Sequence, residues 1–218
     1  MPSSKRTKKV TLTQVDKKDR THKSKIVSDV RDSIDSHTSL YLFSFDNMRS
    51  AKFKDVRAHF RDSKIFMGKN KLLQLALGKG EEDEYADNLQ AVSKHISGSV
   101  GLLATSRERS EVESFFADFA SDDFARAGAT ASETVTLKNS DVNAHPVSMV
   151  EQFRKLGVPA EVKNGKVSLA GPETYTVCKE GGALTAEQCK LLVHFGYRLS
   201  TFKVSLVARW EQGDVVEY

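Results

Sequence analysis

Between Ser39 and Thr105 the period of the apolar residues switches repeatedly, and this switching limits the chain to few folds. Ser39-Leu40-Tyr41-Leu42-Phe43-Ser44-Phe45 is short and aromatic, as in a buried strand. Ahead of it, from Lys17, Ile26, Val27, Val30 and Ile34 recur at three- and four-residue steps on one helix face. After the polar turn Asp46-Asn47-Met48-Arg49, Ser50 is expected to cap a helix with Phe53, Val56 and Phe60 inside. Lys64-Ile65-Phe66-Met67 predicts a second strand. A third helix follows from about Asn70, with Leu72, Leu73, Ala76 and Leu77 buried and a stop near Gly78 and Gly80. Glu81-Glu82-Asp83-Glu84 is expected to open a fourth helix, where its charge suits the positive end of the dipole. Ser99 to Thr105 predicts a third strand. Strand alternating with helix argues an α/β layer.

The pattern changes after about Ser106. Val112, Phe115, Phe116 and Phe119 predict an amphipathic helix, and Val135 and Leu137 a strand. A helix is expected from His145-Pro146 to Gly157. Val162 to Val167 reads as a hairpin with an Asn164-Gly165 turn. Tyr175-Thr176-Val177 is another strand. Thr185 and Gln188 form a capping box ahead of Leu191, Leu192 and Phe195. Thr201 to Trp210 alternates as a strand does. The expected organisation is a basic extended arm over 1–16 and an α/β domain over 17–106 plus 183–210. A small α+β domain is inserted at 107–182, and 211–218 is a tail.

Charge separates these parts. Residues 1–80 carry 19 Lys and Arg against 8 Asp and Glu, a balance of +11, so the remainder stands at −7 within a net +4. Such bipolarity points to a polyanion partner for the first part. Lys5, Arg6, Lys8 and Lys9 fit either a nuclear import signal or a solvated basic tail. No apolar run approaches a membrane span and no secretory segment is evident, so Cys178 and Cys189 are expected as reduced thiols.

Gly68-Lys69-Asn70 lies between a strand and a helix, as a phosphate loop would. The pattern fails because Ser63 and Asn70 stand where the Walker motif needs Gly and Ser or Thr. What remains is a helix start flanked by Lys69 and Lys71 that suits an RNA phosphate, or a plain turn with incidental lysines. Lys54, Arg57 and Arg61 are expected as a basic stripe on the second helix, while Arg49 follows the first strand and Lys64 and Lys69 bracket the second. The two cysteines and six histidines have no metal-ligand spacing. No nucleophile motif or carboxylate pair supports catalysis, so a non-enzyme with no cofactor is expected.

These residues carry a resemblance. Met1 to Arg6, Val10 to Thr13, Asn47-Met48-Arg49, Ser63 to Lys71, Asp123 to Gly128 and Tyr175 to Gly181 resemble the mRNA turnover protein 4 family, over almost the whole chain. That family is a nuclear paralogue of the ribosomal stalk-base protein of the large subunit (acidic P-zero, or L-ten). The resemblance implies an α/β sandwich rRNA-binding domain with an inserted small α+β domain. It implies a trans-acting assembly factor on the rRNA of the GTPase-associated centre in nuclear large-subunit precursors. There it is a placeholder, later replaced by the stalk-base protein. It further implies release by a zinc-binding, phosphatase-like factor and a nuclear and nucleolar location with shuttling to the cytoplasm.

Carried over by residue, rRNA contacts fall on Asn47, Met48, Arg49, Arg57, Lys64, Gly68, Lys69, Asn70 and Lys71, with Lys54 and Arg61 added from the stripe. Lys64 stands where Arg is more usual, which keeps the charge and loses the bidentate fork. Met48 offers an apolar surface to a base or sugar, or belongs to the core. The stalk-base family continues into helices that recruit acidic stalk dimers, and this chain ends at Tyr218. The expectation is therefore site occupancy without stalk building. A mature structural protein of the same fold and an RNA-cleaving enzyme are the alternatives.

Overall fold

A computed structural model describes residues 20–171 and 173–218. The basic arm with Lys5, Arg6, Lys8 and Lys9 lies outside them. In chain order the elements begin α1 (Arg20–Ser36), β1 (Ser39–Asp46), α2 (Ser50–His59), β2 (Lys64–Phe66), α3 (Asn70–Leu77), α4 (Leu89–Lys94) and β3 (Val100–Thr105). They continue with α5 (Arg109–Asp118), β4 (Ala120–Asp123), β5 (Val135–Lys138), α6 (Asn139–Asn143), a 3-10 turn (Val147–Met149) and α7 (Val150–Lys155). The last are β6 (Ala160–Lys163), β7 (Lys166–Leu169), β8 (Thr174–Cys178), α8 (Ala186–His194), β9 (Ser200–Glu211) and β10 (Asp214–Glu217). This is the mixed α/β class expected from the alternating periods.

Two compact units form. The first holds the described residues to Leu42, Asp62–Ser106 and Val207–Tyr218, and the second holds Phe43–Arg61 and Arg107–Leu206. In the first unit the strand order is β10-β9-β1-β3-β2, with β10 antiparallel to β9 and β2 antiparallel to β3. Val30 and Ile34 of α1, Leu73 and Leu77 of α3, and Val92 of α4 bury against Leu40, Leu42 and Leu102. The apolar period read from α1 is thus the side that meets the core. Removing these side chains from water is the main stabilising contribution, at about 25 cal/mol per Å² of apolar area.

In the second unit β4 pairs antiparallel with β9, from Ala120 against Lys203 through Asp123 against Ser200. An aromatic core gathers around Phe43: its ring lies 6.4 Å from Phe53 and 6.2 Å from Phe116, and Phe60 stacks on Phe116 at 5.4 Å. This cluster is why residues 43–61 group with 107–206, although the sequence assigns them to the other domain. A separate apolar core joins β5 and β8, the β6–β7 hairpin, α7 and α8, centred on Leu137, Phe153, Val167 and Leu191. Asn164 and Gly165 take φ of 52° and 73°, the mirror-image turn that matches strand twist. The Thr185–Gln188 capping box forms with both of its hydrogen bonds.

Four expectations need correction. The acidic run Glu81 to Glu84 lies outside any helix, and α4 starts only at Leu89, after Asn88 adopts a left-handed φ of 63°. Ser50 is the first helical residue of α2, and Arg49 holds the cap position without a side-chain cap bond. Arg61 lies beyond α2, which ends at His59 because Phe60 turns to ψ 45°. Residues 211–218, expected as a tail, contain β10, which pairs with β9 from Asp214–Glu211 to Glu217–Ala208. Asn88 Nδ2 donates to the Gly213 carbonyl at 2.8 Å, and His95 Nε2 lies 3.0 Å from the Glu217 carboxylate.

Candidate nucleic-acid interface

The residues expected to meet RNA fall in two groups, one on each unit. In the second unit β1 ends at Asp46 and the chain must reverse within three residues to start α2. Asn47 allows this by taking a left-handed φ of 53°, a conformation that Asn tolerates better than most residues. Its Nδ2 donates to the Thr201 carbonyl at 3.3 Å. Thr201 Oγ1 in turn donates to the Asp122 carboxylate at 3.0 Å. Arg49 Nη2 donates to the Phe124 carbonyl at 2.7 Å, and its Nε lies 3.4 Å from the Asp123 carboxylate. Arg126 Nη2 donates back to the Met48 carbonyl at 2.7 Å. Met48 itself is half-buried.

Arg49 is therefore engaged within the protein, and its first physical task is to hold the turn. Arg126 was not singled out from the sequence, although it lies within the quoted Asp123-to-Gly128 segment. Nearby, the Arg198 guanidinium lies 5.8 Å from the Phe124 ring centroid. Along α2, Lys54 and Arg57 are exposed, and Arg57 lies over the Phe53 ring at 5.3 Å. Arg57 also falls in the last helical turn, where a cation suits the dipole. Arg61 is exposed in the turn that follows.

In the first unit Lys64 is exposed on β2, and Gly68 and Lys69 are exposed on the connection to α3. Lys69 is the helix cap residue, with no side-chain cap bond. Asn70 fixes the helix start by donating from Nδ2 to the Gly98 carbonyl at 3.0 Å. Lys71 is exposed in the first turn. Beside this connection lies a cleft of about 660 Å³. His22, Lys23 and Ile26 of α1 form one wall, and Met67, Gly68, Lys69 and Leu72 the other. Lys23 lies three and four residues before Ile26 and Val27, so it borders the cleft from the same side of α1 as those apolar residues.

Among the described residues no group of three His, Cys, Asp or Glu side chains could hold a metal. No described helix is long and apolar enough to cross a membrane. Cys178 and Cys189 are both buried free thiols in the second unit. Burial, then the proximity of Cys178, raises the Cys189 pKa above the ordinary thiol value.

A Ribosomal protein L10 family model matches residues 18–121, and a model of the insertion domain found in the 60S ribosomal proteins of that family matches residues 125–196. The chain is 42% identical to ribosome assembly factor mrt4 of Neurospora crassa, over 100% of this chain and 93% of that protein. The chain belongs to the ribosome assembly factor mrt4 family. The mrt4 protein of Dictyostelium discoideum is 37% identical over 98% of this chain and 95% of its own length. Large ribosomal subunit protein uL10 of Thermococcus sibiricus is 25% identical over 88% of this chain and 57% of that protein. The shared L10 domain and the similarity to uL10 indicate that the mrt4 family is a paralogue of the uL10 proteins. The chain has the fold the resemblance implied and a role in ribosome assembly. In this mrt4 family chain the L10 match takes in every candidate RNA contact, from Asn47 to Lys71.

Proposed function

We propose that the chain binds the rRNA of the stalk base in nuclear large-subunit precursors and holds the place that the stalk-base protein later takes. The observation that carries this reading is the near full-length match to mrt4 assembly factors, together with the shared L10 domain of uL10. Two proteins with one RNA-binding fold compete for one RNA surface, so occupancy by the first delays the second. The basic groups supply the physical means. Lys54, Arg57 and Arg61 in one unit, and Lys64, Lys69 and Lys71 in the other, are exposed cations that neutralise phosphates. Asn47, Met48, Gly68 and Asn70 contribute shape and hydrogen bonding, and Arg49 acts chiefly through the turn it holds.

The domain partition in this reading is an RNA-binding domain over 17–106 plus 183–210 and an insert over 107–182. The role is non-catalytic: the chain acts by occupying RNA. The arm carrying Lys5, Arg6, Lys8 and Lys9 serves import to the nucleus and nucleolus. The chain then shuttles to the cytoplasm with the precursor, where a zinc-binding, phosphatase-like factor releases it.

In-cell crosslinking with sequencing of the bound RNA tests the reading. Reads should concentrate in the GTPase-associated centre, and the protein should cosediment with nuclear large-subunit precursors. Recovery mainly on translating ribosomes would instead favour a mature structural role.

A further inference from the structure

We infer that the cleft between α1 and the β2–α3 connection holds one unstacked nucleotide of the bound RNA, an inference that rests on the RNA-binding reading above. The cleft volume, about 660 Å³, falls in the roughly 300–1,000 Å³ range of sites that enclose a small ligand. Its composition selects the class of ligand. Ile26, Met67 and Leu72 give it apolar walls, while Lys23 and Lys69 stand on opposite walls as cations. Among the described residues that line it, none carries a carboxylate. An apolar recess with a cationic border suits a planar base joined to a phosphate. Structured RNA is read mainly at bases splayed out of the stack, where side chains cover the base face.

Gly68 supports an occupant from outside the protein. Its φ lies outside the left-handed region, and a Cβ there would meet only Leu73 Cδ2, at an ordinary 3.7 Å. Neither backbone conformation nor internal packing therefore requires glycine, whereas a ligand approaching the exposed connection would gain from the missing side chain. A smaller groove of about 370 Å³ shares Lys23 and Leu72 with the cleft and is lined further by Val27 and Leu75, and Leu75 is 53% exposed. That apolar groove has room for a sugar or a second base.

The test uses the full chain and a transcript of the stalk-base segment of large-subunit rRNA, with single nucleotides replaced in turn by abasic ribose. One position, or two adjacent ones, should weaken binding roughly tenfold, the scale of losing one stacked base. Ile26→Trp fills the cleft without changing charge. It should weaken binding to the intact transcript by a similar factor and abolish the penalty of the abasic position, because both changes remove the same contact. Lys69→Gln should lower the salt dependence and leave the abasic penalty in place. Circular dichroism should show both variants folded.

Penalties that multiply in Ile26→Trp, or tight binding with no sensitive position, would overturn the cleft assignment while leaving the RNA-binding reading intact. Failure of the wild-type chain to bind the intact transcript would overturn both. A self-association that Ile26→Trp abolishes, with RNA binding unchanged, would assign the cleft to a second copy and also overturn the inference.

Discussion

Arg49 and Arg126 hold each other's stretch of chain: Arg49 donates to the Phe124 carbonyl and Arg126 to the Met48 carbonyl, each at 2.7 Å. The two guanidinium groups close a ring between the β1–α2 turn and the end of β4, and Asp123 supplies the carboxylate that balances Arg49. Arg126→Ala should cost about 1 kcal/mol in urea unfolding, the ordinary net value of a hydrogen bond. The Arg49→Ala and Arg126→Ala effects should be non-additive in a double-mutant cycle, because both act on one ring. Additive losses would mean the two bonds are independent.

The same ring distinguishes two basic residues in RNA binding. Lys69→Ala should lower the salt slope of binding to stalk-base RNA by roughly one unit, as one phosphate contact is lost. Arg49→Ala should lower it by less, since Asp123 already balances that charge, and should lower stability instead. Binding isotherms at several salt concentrations, compared with unfolding curves, separate the two effects.

Two glycines should respond oppositely to alanine. Gly78 has a φ of 106°, and a Cβ there would lie 2.4 Å from Glu84 Cα. Gly78→Ala should therefore destabilise by about 2 kcal/mol or more, as expected where strain and a backbone clash coincide. Gly68→Ala should change stability by no more than about 0.5 kcal/mol, because the added atom has room. Thermal melts of the two variants check the contrast.

Phe116 is 3% exposed and packs against both Phe43 and Phe60. Phe116→Ala should cost about 3–5 kcal/mol in urea unfolding, the usual loss for a buried phenylalanine. Phe115 and Phe119, from the same helical pattern, are half-buried. Phe115 stacks on His59 at 4.1 Å, and Phe119 on Phe115 at 5.6 Å. Phe119→Ala should cost less than Phe116→Ala.

The Cys189 thiol should react slowly in the native protein. Burial raises its pKa, so less thiolate exists at any pH below that value. Maleimide labelling at pH ~8, followed by intact mass, should be slow in native buffer and fast in denaturant. The sign for stability follows. The unfolded thiol ionises first, near its ordinary value of about 8.5, so this contribution is full below that pH and is lost as pH rises through the raised native value. Equal labelling rates in native and unfolded protein would contradict the burial.

Local signals determined much of this molecule before folding. Apolar spacing in α1 and α3, the Asn164-Gly165 turn and the Thr185–Gln188 box each depend on residues within a few positions, so the sequence shows them directly. The position of the basic residues was legible for the same reason, as was membership of a family whose motifs run along the chain. What the sequence misplaced depended on distant partners. The acidic run at Glu81 looked like a helix start, but Asn88, bonded to the Gly213 carbonyl, takes the left-handed turn that delays α4 to Leu89. Residues 214–217 carry too little apolar pattern to announce a strand, and they become one by pairing with β9.

The candidate interface divides along the same line. That Arg49 and Lys69 are basic and lie at strand ends is a property of the sequence alone. That Arg49 is tied to Asp123 and Phe124, while Lys69 borders a cleft with His22 and Lys23, arises only when residues tens of positions apart are brought together. Charge is a property of the residue, but its availability to a phosphate depends on the neighbours that tertiary packing supplies.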